Sequence, residues 1–534
     1  MKQLSEVKER IKHISPILVQ KVFLIIALAL LIAFNVYYHT KIVISSDMTT
    51  MLPVARDFIN GNFILKGWVL DTNNFFFSET IFYAVGMAMG IGVRTLINVI
   101  TPSFWSFLII FSLYAFVFKE DEFKKNILRN IIISLSFISV VGIVSLESGY
   151  TLLNANSHNN LYFFLAVCIF CLFQYIRNSQ KRWIVFYLLL SGAMSFSESV
   201  TSMVLFAPVG LLCVYYIIFC EDLRKKSFVI LASSILSFSL SHVFSFLIER
   251  AGGLLTEGMP IEIAKPGEIP GRIKAFLPCI YKLFGFQNWE YNKFGFFSRV
   301  YQLFVLFLMI LILCCIIYCC IKFTKISVTD KMLLLITIIN ILSCFLTRVS
   351  VIERYIVPAF VFGTLLTIKT IANLVCNNFD HNRIVLKSIC TFALCVIIYL
   401  GAYHIYDAYK QNIYIGPEEM LSEFIAEEEL GDGYADYWIA SPTSFYSEFR
   451  IQIYPITTAP GELRPYGALI RRDWYKEKDK HYVITYLNGE SLFIKENELE
   501  GCLGPADKIM ECGQYKILYW EKDISGYMSE WRGK

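Results

Sequence analysis

Asp47 lies in the segment Ser45-Ser46-Asp47-Met48-Thr49-Thr50, directly after a long apolar run. A carboxylate there, at the base of a polar cavity, can take the proton of an acceptor hydroxyl and make it a better nucleophile. Farther along, Arg354 and Tyr355 open another apolar run, with Arg348 and Glu353 in the turn before it. Arginine presents a fixed fork of donors, so Arg354 suits a phosphate leaving group and the charge that builds on it. The stretch from Glu249 to Arg299 adds Lys265, Arg272, Lys274 and Lys282 among Tyr281, Trp289 and Tyr291, a composition that fits either a lipid-phosphate grip or a solvated cap. Base and cationic clamp together are what glycosyl transfer from a phospho-sugar requires. Glu147, His158 and Glu198 also mark the ends of apolar runs, where an ionisable group needs a reason.

Each of these residues has a structural reading as well. Aspartate is a favoured N-cap, so Asp47 can simply start an amphipathic helix from Met48 to Asn60. Glu198 can be satisfied by the hydroxyls of Ser195, Ser197, Ser199 and Thr201 in a tight turn. His158, between Ser157 and Asn159, fits an ordinary helix start, and Arg354 can pair with Glu353 or Glu198.

The elements that must position these residues are membrane spans. Of 534 residues, 56% are hydrophobic and only 17% charged, with a mean hydropathy of +0.54. Average soluble domains carry about 25% charged residues, so a water-soluble globule is excluded and a polytopic membrane protein in a lipid bilayer is expected. Eleven apolar runs are read as spans: Ile17 to Tyr38, Pro102 to Phe118, Ile127 to Leu146, Leu161 to Ile176, Trp183 to Phe196, Val200 to Phe219, Phe228 to Leu247, Val300 to Ile321, Met332 to Leu346, Ile356 to Val375 and Ile384 to Tyr403. Lys and Arg cluster in alternate connections, at Lys119 to Arg129, Arg177 to Arg182, Arg224 to Lys226, Lys322 to Lys331 and Arg383 to Lys387. The positive-inside rule puts these in the cytoplasm, with the N-terminus, and puts Asp47, Glu147, His158, Glu198, Arg348 and Arg354 outside. Ile81 to Ile100 is apolar enough to span, but a crossing there would invert every later loop. Its Glu79, Arg94 and glycines suit an interfacial or re-entrant helix.

After Asp407 the composition turns mixed polar, with alternating runs Phe449 to Ile456, His481 to Leu487 and Tyr515 to Trp520. The reading is an all-α membrane domain over 1–405, with about eleven spans plus outer interfacial helices, followed by an extracytoplasmic α+β domain over 406–534 with a helix near Glu418 to Glu429. The aromatics Tyr434, Tyr437, Trp438, Tyr446, Trp474 and Tyr475 can hold an acceptor sugar or form the domain core. Net charge is only +4 and no basic stripe is interleaved with aromatics, so a nucleic-acid partner has no support. Gly431-Asp432-Gly433 lacks the lysine and context of a phosphate loop. The 15 cysteines show no zinc spacing, and Cys502 and Cys512 are free to pair or not.

The first outer segment, with Ser46-Asp47-Met48, then Ala55-Arg56-Asp57-Phe58-Ile59-Asn60-Gly61-Asn62 and Gly67-Trp68, resembles the GT-C superfamily of polyprenyl-phosphate-sugar-dependent membrane glycosyltransferases. Asn154 to Asn159, the Glu198 hairpin, Arg354-Tyr355-Ile356-Val357-Pro358 and Gly433 to Trp438 are similar to the glycosyltransferase-like proteins of Gram-positive surface-polysaccharide loci. The resemblance implies an essential acid in the first outer loop, which Asp47 matches as catalytic base, and an inverting displacement. It implies a polyprenyl (undecaprenyl) phosphate sugar donor and a surface glycan or lipid-linked acceptor, at the outer face of the bacterial cytoplasmic membrane. Asp47 is not followed by a second acid, so the Asp-Glu or Asp-x-Asp form that would hold a divalent metal is absent, and no cofactor is assigned. Two rivals stand beside this reading. A polysaccharide polymerase or ligase would rely on the outer arginines, and a lipid-glycan transporter or flippase would need ionisable groups at mid-membrane, which these runs almost lack.

Overall fold

The computed structural model describes residues 16–118, 127–143, 152–153, 158–256, 262–285, 296–376, 384–410, 415–489 and 491–528. The chain is almost wholly helical up to Lys410 and becomes a mixed α/β unit beyond it, so the last membrane helix runs slightly past the expected boundary at 405. Among the described residues nine helices are long and apolar enough to cross a membrane: Leu18–His39, Val93–Phe118, Asn160–Asn178, Ser202–Phe219, Glu221–Arg250, Arg299–Ile321, Val328–Leu346, Glu353–Val375 and Ser388–Lys410. An α-helix closes its backbone hydrogen bonds within itself, which hydrocarbon demands of any lipid-facing segment. Large apolar side chains face outward, as at Ile25 and Leu30 on the first helix, which are exposed to 67% and 66%.

By this measure the count is nine rather than eleven. Ile127–Gly142 is a shorter apolar helix, and Trp183 to Phe196 falls in the 17-residue helix Lys181–Ser197. At about 1.5 Å per residue that helix reaches roughly 25 Å, short of the ~30 Å hydrocarbon thickness. The segment Ile81 to Ile100 is also not one helix. Phe76–Ala88 ends at a turn where Gly90 takes φ +79°, a left-handed backbone that glycine adopts without strain, and Val93 then starts the next span. Its second half therefore belongs to Val93–Phe118.

Among the described residues nine strands form two sheets. Strands β3 (Gly433–Ala435), β4 (Ile453–Ala459), β5 (Glu462–Pro465), β7 (Tyr482–Tyr486), β8 (Lys508–Cys512) and β9 (Tyr515–Tyr519) make a six-stranded sheet in the order β5-β4-β3-β7-β9-β8. Its centre is parallel (β4, β3, β7) and its flanks are antiparallel. Alternation along the strands sends Ala435, Ile484 and Ile517 to one face, under the helices Pro417–Glu427 and Tyr437–Tyr446. Tyr434, Val483 and Leu518 go to the other face, under Glu496–Leu503. Cys502 and Cys512 are free thiols.

The second sheet joins distant parts of the chain. β1 (Trp68–Leu70), after the first helix, pairs in parallel with β2 (Leu255–Thr256) and antiparallel with β6 (Ile470–Arg471) of the C-terminal unit. Around it Asp57 accepts from Trp68 Nε1 at 2.8 Å and from Arg471 at 2.9 Å, and Arg94 donates to Glu419 at 2.8 Å. The C-terminal unit is thereby docked on the end of the helical bundle that carries Asp47.

Candidate functional site

The helix Ser46–Thr49 begins seven residues after the first span ends at His39 and carries Asp47 as its second residue; Ser45, not Asp47, holds the N-cap position. The carboxylate is turned toward two distant partners. Tyr437 donates its hydroxyl to Asp47 Oδ1 at 2.9 Å, and Arg354 Nη1 lies 3.4 Å from Oδ2. The same short helix is fixed from above: Ser46 donates to the Tyr437 carbonyl, and Thr49 Oγ1 meets Ser441 Oγ at 2.8 Å. Asp436 caps the helix Tyr437–Tyr446 by accepting from the Trp438 amide at 2.9 Å, which sets Tyr437 at its first position.

Arg354 owes its placement to a proline. Pro358 lacks an amide hydrogen, which leaves the Arg354 carbonyl without its helical donor. The Tyr162 hydroxyl takes that carbonyl at 3.1 Å. One residue on, Asn340 Nδ2 donates to the Tyr355 carbonyl at 2.7 Å while its Oδ1 accepts from the Ala359 amide at 3.1 Å. Two neighbouring helices thus clamp the turn that bears Arg354, whose guanidinium lies over the Tyr355 ring, 5.5 Å from its centroid. Lys282, the end of the amphipathic helix Ile269–Leu283, pairs with the adjacent Glu353 at 3.0 Å.

A second acid acts on this centre by its charge. Asp71 directly follows β1, is half-buried, and its charge reaches both Arg354 and Tyr466. Tyr466 stacks on Tyr437 with centroids 4.6 Å apart. Burial first, then Asp71, Asp47 and Asp436, push the Tyr466 phenol up to about 12, and burial followed by Asp47 pushes that of Tyr437 well above its ordinary value. Both phenols therefore remain protonated donors at neutral pH. The arrangement is a half-buried carboxylate with a hydroxyl donor on one oxygen and a guanidinium beside the other. An incoming anion can recruit that guanidinium and leave the carboxylate to accept a proton.

The other expected site residues divide. Glu198 is buried at the end of Lys181–Ser197, and the charges of Glu198 and Arg354 both reach the Tyr162 hydroxyl. The Ser197 and Ser199 hydroxyls donate to the Ala193 carbonyl and Asn73 Oδ1. Arg348 stands apart, bound to Glu262 and Glu268, whose carboxyl the Arg348 hydrogen bond holds below its ordinary value. Arg272 is spent on the carbonyls of Cys344 and Val349, Lys274 is exposed, and Lys265 is exposed with its amide donating to Glu268 Oε2 at 3.0 Å. Of the phosphate clamp expected of Arg354, Tyr355, Lys265, Arg272 and Lys274, Arg354 stands beside Asp47 with the Tyr355 ring under its guanidinium, while local carbonyls occupy Arg272. His158 opens the helix His158–Asn178, its side chain outside the described residues, as is all of Glu147.

Of the two readings given for the C-terminal aromatics, core fits most of them. Tyr434 and Tyr437 are buried, Trp474 packs edge-on against Trp68, and Tyr475 donates to the Pro455 carbonyl. Sequence reasoning missed Asp71, whose one signal was an acid closing the apolar run Trp68-Val69-Leu70, and missed Tyr437 as a partner of Asp47, 390 residues away, for which no local signal exists. Among the described residues no group of three or more His, Cys, Asp or Glu side chains is placed to hold a metal.

The fold and site define a multi-pass helical membrane protein with an acid and arginine centre beneath a C-terminal α/β unit. No protein-family model matches the chain, and no curated protein matches its sequence.

Proposed function

We propose that the protein is a membrane glycosyltransferase that moves one sugar from a polyprenyl-phosphate carrier to a hydroxyl acceptor at the membrane surface. The observation that carries this reading is Asp47 held between the Tyr437 hydroxyl and the Arg354 guanidinium, at the mouth of a helical bundle. In the proposed step the acceptor hydroxyl gives its proton to Asp47 and its oxygen bonds to the anomeric carbon. The bond from that carbon to phosphate breaks in line, and its electron pair leaves on the polyprenyl phosphate. Arg354 turns from Asp47 to the departing phosphate, which frees the carboxylate as base at the moment that charge develops on the leaving group. One base and no covalent intermediate correspond to inversion. The expectation of an outer-leaflet reaction follows from the lysine and arginine pattern of the loops.

The test is purified protein in detergent with a panel of labelled undecaprenyl-phosphate sugars and cell-wall glycan acceptors, wild type against Asp47→Asn. Transfer by wild type and none by the folded variant supports enzyme and base together. Equal transfer by both moves the base elsewhere, and no donor consumed across the panel overturns the reading.

A further inference from the structure

The polar centre is not the only feature at this end of the bundle. The strip Asn73 to Phe77 is stitched to the turn after Lys181–Ser197. Asn73 Oδ1 accepts from the Ser199 amide at 2.9 Å, Asn74 Nδ2 donates to the Phe196 carbonyl at 2.7 Å, and the Phe77 amide donates to Ser197 Oγ at 2.8 Å. On the far side of this seam lies a cavity of about 360 Å³, lined by Thr72, Asn73, Ser199, Ser202, His242 and Glu249 among others. Directly below it, sharing Phe196, Lys181–Ser197 and Glu221–Arg250 leave a groove of about 350 Å³ that is almost wholly apolar, lined by Phe77, Leu189, Gly192, Leu240 and Phe244. Each lies within the size range of small-molecule sites.

Two properties identify the occupant. First, hydroxyls, amides, an imidazole and a carboxylate above an apolar channel match an amphiphile with a hydrogen-bonding head and a hydrocarbon tail. Second, no lysine or arginine is among the described residues lining the polar cavity, and the nearest in sequence, Arg250, lies over the Phe246 ring. A phosphate head would meet Glu249 with no cation to pair it, whereas neutral sugar hydroxyls can donate to that carboxylate and accept from the serines and asparagine. We infer that this is a binding site for a neutral glycolipid, a diacylglycerol-type lipid with an uncharged sugar head. Thr72 adjoins Asp71 in the chain, and Ser197 and Ser199 flank Glu198. One face of the seam therefore lines the lipid site, and the charges of the adjoining Asp71 and Glu198 are felt at Arg354 and Tyr162.

The experiment uses the full chain in lipid nanodiscs with a diacylglycerol bearing a neutral disaccharide and a photoreactive acyl chain, against phosphatidylglycerol with the same chain. Saturable labelling of Lys181–Ser197 and Glu221–Arg250 is expected, favouring the glycolipid by about fivefold, what roughly one net hydrogen bond provides. Gly192→Leu, at a position where an added Cβ meets nothing closer than the Ser237 carbonyl at 3.7 Å, fills the groove and abolishes labelling by both lipids. Glu249→Gln lowers the preference for the glycolipid while leaving the groove intact. Equal labelling by the two lipids, or labelling indifferent to Gly192→Leu, overturns the site as annular lipid only. Labelling is read without turnover, so it stands or falls separately from the transferase assay.

Discussion

Arg348 precedes and Arg354 opens the helix Glu353–Cys376, and both are ion-paired, yet their surroundings differ in kind. Arg348 binds Glu262 and Glu268, which are 56% and 40% exposed, so water can replace either partner at little cost. Arg354 reaches Asp47 across 307 residues, between a membrane helix clamped by Tyr162 and Asn340 and a C-terminal unit that contributes Tyr437. There the partners are fixed by packing on three sides, and a ligand anion is the natural competitor for the guanidinium. The two pairs differ in how far the rest of the fold holds their geometry.

The sharpest way to break this contrast is Asp47→Asn. It keeps the shape and removes the base, so sugar transfer falls about 10²- to 10⁴-fold with an unchanged thermal melt. Arg354→Ala follows, expected to lower kcat about 10²- to 10³-fold, and Arg354→Lys restores little because the planar fork is lost. A third test addresses the docking that closes the site. Asp57 gathers Asn62, Trp68 and Arg471 and is only 13% exposed, so Asp57→Asn costs about 1–3 kcal/mol, read as a lower unfolding midpoint. Arg348→Gln is the control, with activity and melt both unchanged; if it matched Arg354→Ala in the transfer assay, the contrast would collapse.

The smallest expected effect comes from an exposed pair on the C-terminal unit, where the hydrogen bond to Asp479 raises His481 above its ordinary value. A raised folded value means that the pair stabilises fully below the unfolded value of about 6.5 and loses that contribution as pH rises through the folded one. The melting difference between wild type and His481→Gln should shrink accordingly between about pH 5 and 9, and a difference that grew with pH would contradict the assignment.

Much of the helical architecture was legible in the chain because lipid imposes a long apolar run on every crossing, and residues such as Ile25 and Leu30 need no tertiary information to be placed. Where two helices were read as one, at Ile81 to Ile100, the decisive feature was the backbone of Gly90, which hydropathy does not encode. The sheet strands β4, β7 and β9 were found near their places by alternation, since one strand has two differently packed faces.

The sequence by itself determined that this chain is a multi-pass helical protein with a mixed α/β tail, and that Asp47 and Arg354 lie at apolar-run boundaries where charge needs a partner. Only the tertiary structure decided that these two meet, that Tyr437 and Asp71 join them, and that Arg348 and Arg272 are spent elsewhere. The physical reason is range. Hydropathy and helix signals act over a few turns, while a side-chain contact across 307 residues depends on how whole helices pack and on which carbonyl a proline leaves open.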